Sequence, residues 1–392
     1  MARREARASA EERLIRLSAE TAARRRNERE RAMELAATVS WSRLLDALRE
    51  RRLLPTLGPR LLELASERAD AGFEAALAES LETTRRQAAL VQLISARVQA
   101  ALAEAGIRSA PLKGPQLGEA LYGDAGRRLS SDIDLLVPGT QLQRAVAVVR
   151  ELGYAPPSDP RLPDGMPLLH FALVHQRNEL PPVELHWRIH WYESAFAHDR
   201  LLPPAIDSGE WRPAPADELI ALLLYYARDG LAGLRHPTDI GAWWDGYGGR
   251  LAVADVERSL RPYPALQTAA LAAARAAEAV VGLPAAELVG GELRLGARGR
   301  AAVRLTNPLP HSGEAQVFAD MGLIDGLLTP FGGWRDFFRR QVAPPRSALP
   351  HPPGAPGKPA SRLGHATRVL GRYTLTMAQL LRPGGPAPSG SR

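Results

Sequence analysis

Residues 130–137 read Ser-Ser-Asp-Ile-Asp-Leu-Leu-Val, and this short run decides the fold of the chain. Its alternation of polar and apolar residues is typical of a strand with one buried face. Successive side chains of a strand point to opposite faces, so Asp132 and Asp134 are predicted to share one face while Ile133, Leu135 and Val137 enter the core. Two close carboxylates repel each other unless a cation neutralises them, so the pattern indicates a hard divalent metal. An exposed edge strand with two chance aspartates is the alternative.

The residues around this strand predict a small mixed sheet between helices. The run RSAPLKG at residues 108–114 fits a short strand, and Pro115 opens a predicted short helix, because proline suits a first helical turn. An amphipathic helix is predicted over 140–154, with Thr140 as its N-cap and Gly153 as its stop. Two further strands are predicted in the runs LLHFALVHQRN and PPVELHWRIHW. The predicted fold class is therefore α/β (α+β).

The second of these runs offers another group of polar side chains. Alternation in Val-Glu-Leu-His-Trp-Arg-Ile-His places Glu184, His186, Arg188 and His190 on one predicted face. If the two strands are neighbours, Glu184 completes a three-carboxylate cluster with the aspartates; an ordinary strand with a polar outer face is the alternative. His186 and His190 are four residues apart, a spacing at which two histidines on a helix bind zinc. A zinc hydrolase is therefore an alternative enzyme class. Trp187, however, stands where such proteases carry a glutamate.

Lysine is almost absent from the chain, which makes its position informative. It stands only at 113 and 358, and arginine supplies every other one of the 50 basic residues. An ammonium is a compact charge that a guanidinium does not replace at a crowded phosphate site, so Lys113 in Ala-Pro-Leu-Lys-Gly-Pro is interpreted as functional. Chance, or a lysine reaching solvent from a strand end, is the alternative. Since this lysine precedes its glycine, a Walker-type loop is a poor description.

Charge and composition limit the class of protein. The net charge is +7, but residues 341–392 carry seven basic residues and no acid, so the rest of the chain is balanced. This Pro/Gly-rich tail is predicted to be a linker with a basic helix near its end. Its positive charges suit binding to nucleic acid or to an anionic membrane surface. The alternative is that these charges only keep the tail soluble. The absence of cysteine, of a long apolar run and of a secretory signal favours a cytoplasmic protein.

The remaining segments read as helices. Residues 2–36 are predicted to be a solvated or partly frayed helix, and 58–106 to be two helices broken near Ala71 and ended by Gly106. Helices are predicted again in the runs PADELIALLLYYARDG, PTDIGAWWDGY and PALQTAALAAARAAEAVVG. In the second of these runs, Asp239 and Asp245 are interpreted as part of ordinary helix packing with one capping acid, with base stacking by its two tryptophans as the alternative.

Taken together, these motifs resemble the uncharacterised nucleotidyltransferases of the DNA polymerase β superfamily. The shared pattern is a Lys-Gly before a short helix, a Tyr-x-Asp-x-Gly loop, an arginine four residues before Asp-x-Asp, and a final acid before Leu-His-Trp. The residues that match it are Lys113, Gly114, Tyr122, Asp124, Gly126, Arg128, Asp132, Asp134, Glu184, His186 and Trp187. The resemblance covers residues 85–275. Pro115 departs from the wider superfamily, which has serine or glycine there, and thus removes a hydroxyl and one backbone N–H.

The resemblance implies a metal-dependent nucleotidyl transfer. Asp132, Asp134 and Glu184 would be both the metal ligands, for Mg²⁺ or Mn²⁺, and the catalytic residues. The nucleoside triphosphate is the implied co-substrate, ATP being one, and its implied contacts are Lys113, Gly114, Arg128 or its neighbour Arg127, Ser131 and His186. The acceptor is a small molecule or a protein hydroxyl. A catalytically inactive binding module is the non-enzyme alternative.

The patterns along the chain also predict its division into four regions. Residues 1–84 are predicted as an N-terminal helical region and 85–203 as the nucleotidyltransferase core. Residues 204–340 are predicted as a helical C-terminal domain, and 341–392 as the basic tail with its terminal helix. A long polynucleotide acceptor is disfavoured, because the body of the chain outside the tail has no excess of basic residues.

Overall fold

The computed structural model describes most of the chain in eight segments. These are residues 8–156, 169–177, 179–192, 194–206, 211–285, 294–310, 314–343 and 361–381. The predicted linker in the tail lies almost entirely outside them.

A five-stranded mixed sheet forms the centre of the molecule. Its strands are β1 (Ala110–Pro111), β2 (Ile133–Leu136), β3 (Tyr154–Ala155), β4 (His170–His175) and β5 (Val183–His186). Their order is β1-β2-β5-β4-β3, with β2 and β5 parallel and the other neighbours antiparallel. The strands predicted from the alternating patterns are therefore confirmed, although β5 ends at His186 rather than continuing to Trp191.

Helices precede, interrupt and follow the sheet. Those before it are α1 (Ala10–Ala19), α2 (Ala22–Asn27), α3 (Arg29–Ala36), α4 (Trp41–Glu50), α5 (Leu54–Ala65) and α6 (Ala71–Glu104). Those within it are α7 (Pro115–Tyr122) and α8 (Leu142–Glu151). Those after it are α9 (Pro215–Arg228), α10 (Arg235–Tyr247), α11 (Val253–Leu260), α12 (Pro264–Val281), α13 (Ala297–Arg304), α14 (Glu314–Leu328), α15 (Trp334–Gln341) and α16 (Arg362–Leu381). The α/β class with helical segments on both sides is thus confirmed.

The two faces of the sheet belong to two different apolar cores. Ile133, Leu135 and Val137 pack with α6 and α8 in one core, as their alternation predicts. Leu136 points the other way and joins the larger core of the N-terminal and C-terminal helices. Asp134 lies between Ile133 and Leu135, so it also points toward the helical side. The alternation of β2 therefore places a buried carboxylate where sheet and helices meet.

The prediction of a solvated helix over residues 2–36 is wrong for α1, whereas α2 has no buried residue and α3 buries only Ala32 and Ala36. Leu14 and Ile15 of α1 are fully buried in the larger core. The Thr21 N–H donates to the Val281 carbonyl at 2.9 Å, which ties the N-terminal helices to the end of α12. Burial of apolar side chains stabilises α1, which the abundance of charged residues hides in the sequence.

Several helix boundaries follow their local signals and one does not. Asp70 caps α6, since its carboxylate accepts from the Phe73 N–H at 2.6 Å, and Gly106 ends that region with a φ of 72°. Gly153, with a φ of 90°, follows α8 as predicted. Thr140 is not the cap of α8: it lies inside a 3₁₀ turn at Gly139–Gln141, and the helix begins after it. The division into four regions stays a prediction; α6 runs through residue 84. Among the described helices, none is long and apolar enough to cross a membrane.

Candidate active site

The three predicted carboxylates lie together. Because β2 and β5 are parallel neighbours, Asp134 stands opposite Glu184 in the register of the sheet. Asp132, Asp134 and Glu184 each offer an oxygen within 4.8 Å of the others. Carboxylate oxygens are the donors that hard divalent cations take in proteins, so this cluster is able to hold a metal.

The charges of the three carboxylates are compensated unequally. Burial raises the pKa of Asp132, and the negative charges of Asp134 and Glu184 raise it further. Burial also acts to raise the pKa of Asp134, but a hydrogen bond from His186 and the charge of Lys113 outweigh it and hold this pKa well below its usual range. Asp132 is thus the carboxylate that gains most from an added cation.

Lys113 lies beside the carboxylates. It follows β1, and its Nζ is 3.6 Å from Asp134 Oδ1 and 4.9 Å from the centre of the Tyr225 ring. Only 15% of the side chain is exposed, and burial together with the charge of Arg228 lowers the pKa of this lysine. The residue is therefore an interior cation of the site rather than a strand-end lysine extended into solvent. Gly114, next in the chain, has a φ of 90°, which favours glycine there.

His186 connects two of the carboxylates. Its ring is 1% exposed, and its Nε2 lies 2.8 Å from Asp134 Oδ1 and 3.4 Å from Glu184 Oε2. Its Nδ1 is buried without a hydrogen-bond partner among the described residues, so its polar contacts pass through Nε2. His190 does not join it, because β5 has already ended, and burial lowers the pKa of His190 to about 3. The two histidines do not form the helical pair that a zinc protease requires.

His170 is a site residue that the sequence did not indicate. It stands opposite His186 in the antiparallel pair of β4 and β5. Its Nδ1 lies 3.4 Å from Glu184 Oε2, and the two imidazole rings are 4.8 Å apart between centres. No local pattern marks this histidine, since its place depends on which strand β4 joins.

The Tyr-x-Asp-x-Gly loop anchors the chain that leads into β2. Tyr122 donates to Asp239 of α10 at 2.7 Å, and Asp124 pairs with Arg85 of α6 at 2.7 Å. A Cβ on Gly126 would stand 3.1 Å from the Arg85 backbone nitrogen, so only glycine allows the loop to approach α6 this closely. These contacts give the motif a structural reason: they fix the loop on two helices just before Asp132.

Arg128 and Arg127, which are predicted as triphosphate contacts, both have partners within the fold. Arg128 is 3% exposed, and its Nε lies 3.0 Å from Asp239 Oδ2, so it is held within the fold. Arg127 stacks on the Tyr122 ring, 5.3 Å from its centre. The exposed Arg235, which the sequence did not indicate, donates to the Leu129 carbonyl at 2.6 Å. Arg235 thus contacts the segment that leads into β2, and its charge acts to lower the pKa of Asp132.

The other predicted residues are placed as follows. Ser131 is exposed directly before Asp132, while its neighbour Ser130 is buried and donates to the Asp132 carbonyl at 3.2 Å. Asp245 accepts from the Ala22 N–H at 2.9 Å and so caps α2. One capping acid in this run was predicted, but the helix that it caps belongs to the N-terminal region.

A comparison with known protein families identifies the family of this chain. The sequence model of a family described as "Uncharacterised nucleotidyltransferase" matches residues 37–281. The match begins within the N-terminal helices, ahead of residue 85 where the resemblance of motifs begins, and it ends at the last residue of α12. No curated protein and no solved structure matches the chain significantly. Since the family model covers more than half of the sequence and includes the whole carboxylate cluster, this chain belongs to the family of uncharacterised nucleotidyltransferases.

Proposed function

We propose that this protein transfers a nucleoside monophosphate from a nucleoside triphosphate to a hydroxyl group of a small molecule or a protein. The observation that carries the proposal is the cluster of Asp132, Asp134 and Glu184 within the region that matches the nucleotidyltransferase family. The cation Lys113 lies at its edge, 3.6 Å from Asp134. Opposite charges side by side suit a triphosphate together with its metal ions.

The residues present fit a divalent cation. Three carboxylates supply oxygen ligands, and burial together with the negative charges of Asp134 and Glu184 raises the pKa of Asp132. We propose Mg²⁺ or Mn²⁺, held by Asp132, Asp134 and Glu184. Such ions, when bound, neutralise the triphosphate and the departing pyrophosphate.

The side chains of the protein would act in the following way. Lys113 binds triphosphate oxygens, and Arg235 faces the same charge from the N-terminal end of α10. Arg128 is proposed to act indirectly, by holding the loop before Asp132. Glu184 is ionised at neutral pH, because the hydrogen bond from His186 and the charge of His170 lower its pKa against the effect of burial. It accepts the proton of the acceptor hydroxyl; the hydroxyl oxygen bonds to the α-phosphorus, and the bond from that phosphorus to pyrophosphate breaks.

The test is transfer of label from α-³²P nucleoside triphosphates. Purified protein is incubated with each labelled ATP, GTP, CTP or UTP, Mg²⁺ or Mn²⁺ and a cell extract that supplies acceptors. We expect a labelled product with at least one triphosphate. Asp132→Asn and Asp134→Asn should each reduce the rate by about 100-fold or more, since a metal ion contributes several kcal/mol to such reactions.

A matched control is Asp255→Asn, because Asp255 forms a surface pair with Arg258 on α11, away from the cluster. It should leave the rate unchanged. Absence of labelled product from the wild type, together with retained triphosphate binding, would support the inactive binding module instead. Equal labelling by the wild type and the Asp132 variant would exclude the proposed site.

A further inference from the structure

Two histidines and a glutamate form a second group of metal-binding atoms beside the aspartates. His170 Nδ1, His186 Nε2 and Glu184 Oε2 lie within 4.8 Å of one another. They come from neighbouring strands, since His170 of β4 stands opposite His186 of β5. Glu184 belongs to both groups, and His186 also contacts Asp134 directly, so the two groups adjoin.

Two of the three distances within this group fit a tetrahedral ion. Glu184 Oε2 is 3.4 Å from His170 Nδ1 and 3.4 Å from His186 Nε2. A tetrahedral ion with bonds of about 2.1 Å holds its ligand atoms about 3.4 Å apart. Two imidazoles and one carboxylate also make up the protein ligands of several catalytic zinc sites, which leave the fourth position open.

We propose that His170, His186 and Glu184 bind a Zn²⁺ ion at a second position, next to the aspartate pair. Nitrogen donors favour late first-row metals over Mg²⁺, so the two positions differ in preference. Binding replaces the hydrogen bond of 2.8 Å between His186 Nε2 and Asp134 Oδ1. Asp134 then becomes available to the oxygen-ligated position. The inference rests on the proposed function only in that Glu184 belongs to both the carboxylate cluster and the zinc position. Binding of the metal is measured without nucleotide.

The test uses Co²⁺ as a spectroscopic substitute for Zn²⁺. A tetrahedral Co²⁺ ion with nitrogen ligands absorbs strongly in the visible range, whereas an octahedral Co²⁺ ion with oxygen ligands absorbs weakly. We expect the metal-free full-length protein to develop the strong bands on addition of one equivalent of Co²⁺. Zn²⁺ should abolish them by competition, and excess Mg²⁺ should not.

His170→Gln is the decisive variant. The His170 side chain is 37% exposed, so glutamine keeps the packing of β4 and removes one ligand. Co²⁺ binding should weaken by at least about tenfold, because even partners outside the ligand shell change metal affinity by that much. The matched control is His198→Gln. His198 Nδ1 lies 3.0 Å from an Asp199 carboxylate, and this ion pair contains only one imidazole. Replacement of His198 should therefore leave the Co²⁺ spectrum unchanged.

Failure of this inference is distinguishable from failure of the proposed function. Weak octahedral bands in the wild type, or equally tight Co²⁺ binding by His170→Gln, would overturn the zinc position and leave nucleotidyl transfer standing. Asp132→Asn should retain the tetrahedral bands while it loses transfer. Tetrahedral bands in a protein without any transferase activity would retain the zinc position and remove the proposed reaction.

Discussion

The ion pair between Arg128 and Asp239 decides whether this arginine holds the fold or contacts phosphate. Arg128 precedes Asp132 by four positions, and its partner lies on α10, so the pair connects the approach to β2 with the C-terminal helices. The two side chains are 3% and 1% exposed, and their Nε–Oδ2 distance is 3.0 Å. Tyr122 donates to the other oxygen of Asp239 at 2.7 Å.

The expected loss follows from this burial. Asp239→Ala leaves the guanidinium of Arg128 unpaired in the interior, which costs about 3–5 kcal/mol of the free energy of unfolding. Tyr122→Phe removes one hydrogen bond to a buried charge and should cost about 1–3 kcal/mol. The double variant Arg128→Met/Asp239→Leu buries no charge, so it should recover most of the loss of the single variant.

The assay is urea unfolding monitored by circular dichroism, with the free energy obtained by linear extrapolation. Asp255→Ala serves as the control, because its pair with Arg258 has a similar length, 2.8 Å, but both side chains are exposed. This control should lose less than about 1 kcal/mol. An equally small loss of unfolding free energy for Asp239→Ala, together with weaker triphosphate binding by Arg128→Met, would refute the reasoning. It would indicate that Arg128 contacts phosphate.

Two further predictions concern Lys113 and His190. Lys113→Ala should weaken binding of a non-hydrolysable triphosphate, measured by calorimetry, by about 10- to 100-fold, because that is the contribution of a hydrogen bond to a charged group. The circular dichroism spectrum should stay unchanged. Lys113→Arg should not restore binding, because Nζ is enclosed between Asp134 and Tyr225; full binding by both variants would remove Lys113 from the site. His190 has a folded pKa of about 3, below its unfolded value, so the unfolded state takes up the proton first as the pH falls below about 6.5. The wild type should therefore lose about 2 kcal/mol of unfolding free energy through this group between pH 7 and pH 5. His190→Phe should lack that loss. Equal pH dependence of the two proteins in urea unfolding would contradict the burial of a neutral imidazole.

Local sequence signals predicted the elements of the central region well. Alternation in residues 130–137 indicated β2 and its buried face, and Pro115 marked the start of α7. These predictions succeed because strand alternation and the conformational limits of proline and glycine depend on the chain within a few residues. Thr140 failed as a cap because a 3₁₀ turn occupies its position.

The charged N-terminal helices show what local sequence signals do not predict, namely which apolar side chains become buried. Arginine and glutamate dominate residues 10–36, which suggests a solvated helix. In the structure a few apolar side chains, such as Leu14 and Ile15, pack against helices that lie far away in the sequence. The composition of a helix does not state which other helix will cover its apolar face.

The sequence by itself indicated the carboxylate pair and offered Glu184 and Lys113 as candidates, because each stands in a short motif. That Glu184 joins the pair depends on the parallel pairing of β2 with β5. Tertiary structure alone decided that His170 reaches Glu184, since the pairing of β4 with β5 brings them together. It also decided that Arg128 pairs with Asp239, 111 positions further along the chain, instead of facing the carboxylates. A motif specifies which side chains are offered on one strand or loop. The packing of distant elements specifies which buried charge each of them meets, because a charge that leaves water must find a partner wherever the fold supplies one.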